Sequence, residues 1–271
     1  MNFIGEHLLP GKLGHFFLLL SLIASLGATI AYFLSVQKSS FYNRGAQLGG
    51  VDTSSINQQW RKLARIFFIT EVVSVFAVFA ILFFIISNHY FEYKYAWQHS
   101  SLSLEPKYLL SCFWEGQEGS FLLWSVWHCV LGLVFIWKEK QWEGPVMTVV
   151  SFVQVLLATM LLGPTIFGAS IGSNPFVLLR NSGVLDNAPV FFGADGLMRQ
   201  DYLSLIKDGN DLNPLLQNYW MVIHPPTLFL GFSSVVIPFA YAIAGLWTKR
   251  YKEWVNVAIP YSLFATFLVF I

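Results

Sequence analysis

Hydrophobic residues in this chain are gathered into long uninterrupted runs, and the charged residues fall in clumps between them. Between Lys12 and Lys38 lie 25 uncharged residues, between Glu71 and Glu92 lie 20, and between Glu118 and Lys138 lie 19. The intervals from Glu143 to Arg180 and from Asp211 to Lys249 hold 36 and 37, and 18 residues follow Glu253. A helix needs about 20 apolar residues to cross a bilayer core, and each interval contains one such run. The pattern therefore predicts an all-α, polytopic helical membrane protein with about six spans. They are placed at Gly14 to Val36, Ile66 to Ser87, Gly119 to Trp137, Pro145 to Phe167, Pro225 to Trp247, and from Val255 onward. The first run is longer than the roughly 7–15 residues of a signal-peptide core, which argues against cleavage.

Composition agrees with this layout: 55% hydrophobic, 17% aromatic and 11% charged residues, with mean hydropathy +0.57, against roughly a quarter charged in soluble domains. A net charge of +1 gives no reason to expect nucleic-acid binding. The two cysteines, Cys112 and Cys129, form neither CxxC nor CxxCH, so a disulfide scaffold or an attached c-type haem is excluded on this chain. Lysine and arginine number ten on the side that holds Lys38, Arg44, Arg61, Lys62, Arg65, Lys138, Lys140, Lys249, Arg250 and Lys252, against six on the other. By the positive-inside rule the amino terminus faces outward, together with loops of about 88–118 and 168–224. The whole of 1–271 then reads as one polytopic domain.

The outward loops hold the candidate chemistry. Phe91, Tyr93, Tyr95 and Trp97 alternate with polar or small residues, the period of a strand with four rings on one face. That face would be an interfacial belt, a half-buried hairpin, or the wall of a flat apolar site. In Trp114-Glu115-Gly116-Gln117-Glu118-Gly119-Ser120, the glycines permit close backbone approach and Glu118 opens a helix, where a carboxylate is favoured. Asp208 to Asn213 resembles a calcium loop only superficially, since Leu212 stands at a ligand position. Asn213-Pro214 reads as an N-cap and first helical residue. His224-Pro225-Pro226 places an imidazole at the mouth of the fifth span, where it could ligate a metal or be solvated. Within the spans, His128 lies near the midplane and could bind a ligand or a neighbouring helix, while Glu71 could snorkel or pair with a base. No nucleophile–base pair, phosphate loop or metal cluster appears, so no residue is assigned as catalytic.

Four ordered motifs carry a resemblance. The run Trp114 to Trp124 is similar to the W-G-x-x-E-G-S-L-L-L-W signature of the CcmF branch of the CcmF/CcsA cytochrome c-type biogenesis family, with Glu115 in place of the glycine. Ser173-Asn174-Pro175-Phe176, Asp211 to Gln217, and His224-Pro225-Pro226 follow in the family's order. The resemblance implies a component of a cytochrome c haem lyase in the cytoplasmic (inner) membrane, its functional loops in the periplasm. Such a component takes haem from a haem chaperone and presents it for thioether attachment to apocytochrome c, alongside thiol-reducing assembly subunits. It further implies that haem contacts Trp114, Gly116, Glu118, Gly119 and Trp124, with His224 as axial ligand to the iron. The family's tryptophan-rich haem platform and further histidines fall after the start of the sixth span, and this chain ends at Ile271 within that run. It therefore reads as an amino-terminal portion that frames one side of a haem site. The competing classes are a membrane transporter, which would favour broken helices and midplane charges, and a structural subunit of a respiratory complex.

Overall fold

The computed structural model describes residues 3–42 and 53–270, so Arg44 and Ile271 lie outside the described residues. Helix α1 spans Leu8–Tyr42, α2 Thr53–Ser87, α3 Lys94–His99, α4 Leu109–Glu115, α5 Gln117–Lys138, α6 Glu143–Leu162, α7 Tyr219–Trp247 and α8 Glu253–Val269. Five of these, α1, α2, α5, α6 and α7, are long and apolar enough to cross a membrane. At 17 residues α8 sits at the short end of the spanning range. The protein is a polytopic helical membrane protein.

Every span lies where the charge-free intervals put it, but the ends differ. Arg61, Lys62 and Arg65 are carried by α2 itself rather than by a loop, because the helix continues past its apolar stretch. The fourth span stops at Leu162, not Phe167. Gly163 has φ +64° and ends the helix in the left-handed cap conformation, and Pro164 cannot continue it. A two-stranded hairpin follows, β1 Thr165–Ile166 against β2 Ala169–Ser170. Its tip residues Phe167 and Gly168 both have positive φ, as a tight twisted hairpin turn requires.

The described chain divides into two compact units. The helical unit comprises Leu18–Phe76, Leu123–Thr159 and Pro226–Ile271. Its core gathers Tyr32, Phe68, Phe135, Trp142, Met147, Ile237 and Tyr241 around small residues such as Ala28, Ala64 and Ala244. Small residues let helices approach closely where lipid offers no hydrophobic drive. Gly132 lies under the ring of Phe68 and Gly245 under that of Trp254, with no room for a methyl group at either. The buried Glu143 carboxylate receives both arms of Arg65, each at 2.6 Å, and the Tyr32 hydroxyl at 3.3 Å.

Glu71 does not snorkel: it is buried near Gln154, with no ion-pair partner among the described residues. The Gln154 amide engages Ser125 and Cys129. His128 is fully buried and stacked on Trp124 at 6.2 Å, and neither ring nitrogen has a hydrogen-bond partner among the described residues. The expected bond from His128 to another helix is therefore absent among them.

The loop-rich unit comprises Met1–Phe17, Ala77–Leu122 and Met160–Pro225. The alternating segment from Phe91 to Trp97 is not a strand. Only Tyr93 forms a bridge, to Leu178, and the chain then turns directly into α3. Burial of Phe91, Tyr93 and Tyr95 within this unit, not a flat external face, accounts for the aromatic residues. Backbone bonds from Lys94 N to Val177 O and from Leu179 N to Glu92 O join the two long loops. The segment before α1 is clamped between them. Glu6 receives Arg180 at 2.7 Å and the Tyr202 hydroxyl at 2.8 Å, while Glu92 receives the His7 backbone N–H at 2.8 Å.

Candidate functional site

Parts of all four sequence motifs, residues 114–122, 173–176, 211–217 and 224–225, lie in the loop-rich unit. Gly116, in extended conformation, separates α4 from α5. The Tyr95 hydroxyl fills this break: it donates to the Phe113 carbonyl at 2.7 Å and accepts from the Gly116 N–H at 3.2 Å. Burial holds the Tyr95 phenol well above the usual tyrosine range, so it acts only as a neutral hydrogen-bonding group. A methyl group on Gly119 would fall on the Phe113 carbonyl, and one on Gly116 would meet Tyr95 and His99. What the two glycines approach within this chain is therefore the Tyr95 ring and the end of α4.

Glu118 accepts from the Ser173 hydroxyl at 2.5 Å, which ties the start of α5 to the Ser-Asn-Pro-Phe motif. Glu115, the residue that departs from the family pattern, faces His99 Nδ1 at 2.9 Å and accepts from the Asn213 N–H at 3.5 Å. Asn213 caps the short turn Pro214–Leu216 through its side chain, as its position before proline predicts. Burial pushes the Cys112 thiol up to about 12, which keeps it a thiol at neutral pH and removes it as a nucleophile.

The helix that carries His224 begins earlier than its prolines indicate. Asn218 accepts from the Met221 N–H at 3.1 Å and starts α7 at Tyr219, so Pro225 and Pro226 lie in the second turn and remove two helical N–H donors. Proline 225 would have bonded the Met221 carbonyl had it carried an N–H, since helical bonds run from residue i to i−4. That vacant carbonyl instead accepts from the Trp114 indole at 2.8 Å. One motif thus opens an acceptor that another motif fills, across 107 residues.

His224 is exposed one turn beyond Trp220, on the same helical face. Tyr219 and Trp220 are 68% and 71% exposed. His224 has no hydrogen-bond partner among the described residues. An accessible imidazole beside exposed aromatic side chains suits one axial position on a flat apolar metal complex. His224 and Trp114 stand out in the sequence as candidate site residues, and Tyr95 and Ser173 as members of an aromatic run and a motif; the bonds that Tyr95, Ser173, Asn218 and Met221 make in this assembly have no local sequence signal. Trp124 belongs to the helical unit, where it packs on Phe229 and Phe232 and its carbonyl accepts from the Ser233 hydroxyl.

These features define a multi-span helical membrane protein with a long, hydrogen-bonded loop assembly that presents a histidine. Residues 114–267 match the family described as Cytochrome C assembly protein, and the chain belongs to that family. It is 30% identical over 256 residues to the cytochrome c-type biogenesis protein CcmF of Haemophilus influenzae, covering 94% of this chain and 33% of that protein. Against CcmF of Pseudomonas aeruginosa it is 29% identical, over 90% of this chain and 32% of that one. It is 26% identical to the probable cytochrome c-type biogenesis protein NrfE of Escherichia coli, over 71% of this chain and 31% of that protein. A solved structure titled Cytochrome c Heme Lyase CcmF shares the fold over 98% of this chain and 35% of its own, with TM-score 0.63 and 22% identity. The chain thus spans about a third of the length of the relatives it matches.

Proposed function

We propose that this chain is a haem-handling component of a cytochrome c haem lyase. Haem arrives from a haem chaperone on the periplasmic side of the cytoplasmic membrane and is presented to the two thiols of an apocytochrome c CxxCH motif, with thiol-reducing assembly subunits keeping those thiols available. His224 supplies one axial ligand to the incoming iron, and Trp220 offers an apolar face beside it. Trp114 sets the direction of the His224 turn through the Met221 carbonyl. Gly116, Gly119 and Glu118 act on haem through the loop geometry they fix.

One observation carries this reading: an exposed, unengaged histidine on a turn whose Met221 carbonyl is held by the Trp114 indole of another motif. The test is His224→Ala in the full-length protein. Haem captured from the chaperone, read by absorbance of the purified protein, is expected to fall at least tenfold, and holocytochrome c with it. Normal holocytochrome c in that variant refutes the role.

A further inference from the structure

A cavity of about 640 Å³ lies in the loop-rich unit, away from His224, with Lys12, His15 and Arg180 among its polar walls and Leu8, Phe176 and Leu178 among its apolar ones. No carboxylate lines it. Arg180 is already committed to Glu6, whereas Lys12 has no ion-pair partner among the described residues. Lys12 therefore offers the cavity an ammonium that no carboxylate pairs directly, although the charges of Glu92 and Glu6 both reach the Tyr93 hydroxyl in its wall.

The tautomer of His15 follows from its neighbour. Asn174 accepts from the Phe176 N–H through its Oδ1 at 2.8 Å, which fixes the side-chain amide. Its nitrogen must then face His15 Nδ1, 3.1 Å away, and donate to it. A neutral imidazole that accepts at Nδ1 carries its proton on Nε2. His15 thus offers a donor, suited to an anionic oxygen and not to a metal. The Tyr93 hydroxyl is no competitor, since it accepts from the Gly11 N–H and donates to the His7 carbonyl.

Apolar surface adjoins these donors. Leu9, Leu13 and Phe16 on α1 are 67%, 43% and 55% exposed, on a helix apolar enough to cross a membrane. A ligand that suits both features carries an anionic oxygen head and hydrocarbon chains. We propose that the cavity holds the phosphate of an anionic phospholipid from the surrounding bilayer, with Lys12 pairing its charge, His15 donating to a phosphate oxygen, and acyl chains lying along Leu13 and Phe16. This rests on α1 spanning the membrane, not on the haem reading.

Native mass spectrometry of the full-length protein in detergent, supplied with phosphatidylglycerol or phosphatidylcholine, tests it. The wild type is expected to retain phosphatidylglycerol preferentially, and the exposed substitution Lys12→Gln to reduce that retention about fivefold, the size of one basic contact at an anionic surface. Lys207→Gln, which removes an exposed lysine elsewhere, is expected to leave it unchanged. Wild-type retention in Lys12→Gln overturns the proposal. So does displacement of the lipid by millimolar inorganic phosphate, which would mark a soluble-anion site, or by haem, which would mark a haem site.

Discussion

In the loop-rich unit the buried hydroxyls of Tyr93, Tyr95 and Tyr202 each bond a backbone group or a carboxylate far away in sequence. In the helical unit the buried His128 ring and Ser151 hydroxyl have no hydrogen-bond partner among the described residues, and one Glu71 oxygen is equally bare. The first unit is held by directional bonds that specific side chains make at specific points. The second has bonds of its own, Arg65 and Tyr32 to Glu143 and those around Gln154, but its core is fitted volume, where aromatic rings settle over glycine and alanine; bare polar atoms are not confined to it, since Ser111 and one His89 nitrogen are bare in the first. Substitutions should accordingly hurt the first unit through geometry and the second through size.

The largest expected effect is Gly119→Ala, because the new methyl group meets a backbone carbonyl that cannot rotate away. A loss of about 3 kcal/mol is expected, read as earlier thermal unfolding and faster proteolysis of the long loops. Tyr95→Phe keeps the ring and deletes one hydroxyl, leaving the Phe113 carbonyl and Gly116 N–H unmatched in a buried place. The cost should be about 2 kcal/mol; a drop below about 0.5 kcal/mol would show that packing, not bonding, holds this unit.

Next comes a coupling measurement. Trp114→Phe should cost about 1 kcal/mol, but much less in a Pro225→Ala background, where the restored helical N–H satisfies the Met221 carbonyl. Additive penalties in that double-mutant cycle would contradict the proline-opened acceptor. The smallest effect is assigned to His128→Leu. With no hydrogen bond to lose, stability should stay within about 0.5 kcal/mol of the wild type or rise. A large loss would reveal a partner for the ring and erase the contrast between the units.

The spans were legible in the sequence because lipid excludes charge, so an interval without charge marks a helix whatever its neighbours do. The aromatic alternation of Phe91 to Trp97 misled for a physical reason. Strand spacing requires a partner along its whole length, and here the chain supplies one only at Tyr93, so the rest winds into α3. His224 was legible as a residue type beside two prolines. Its support was not, because the acceptor is a main-chain carbonyl whose availability depends on a proline four residues later and whose donor lies in another motif. Glu118 was readable as a helix-start carboxylate, but its partner Ser173 sits 55 residues away, beyond the reach of any local pattern.

The indole–carbonyl bond also sets an order of events during synthesis. Its donor is made early and its acceptor only after the whole stretch between Leu162 and Tyr219 has left the ribosome. The bonds that tie this stretch to Glu6, Glu92, Lys94 and Glu118 need only segments already made, whereas the Trp114 indole has no Met221 carbonyl to meet until α7 is delivered. The turn that carries His224 is therefore the last part of the loop assembly to lock, and the interval before it does is the one in which a chaperone or a protease would find that turn open.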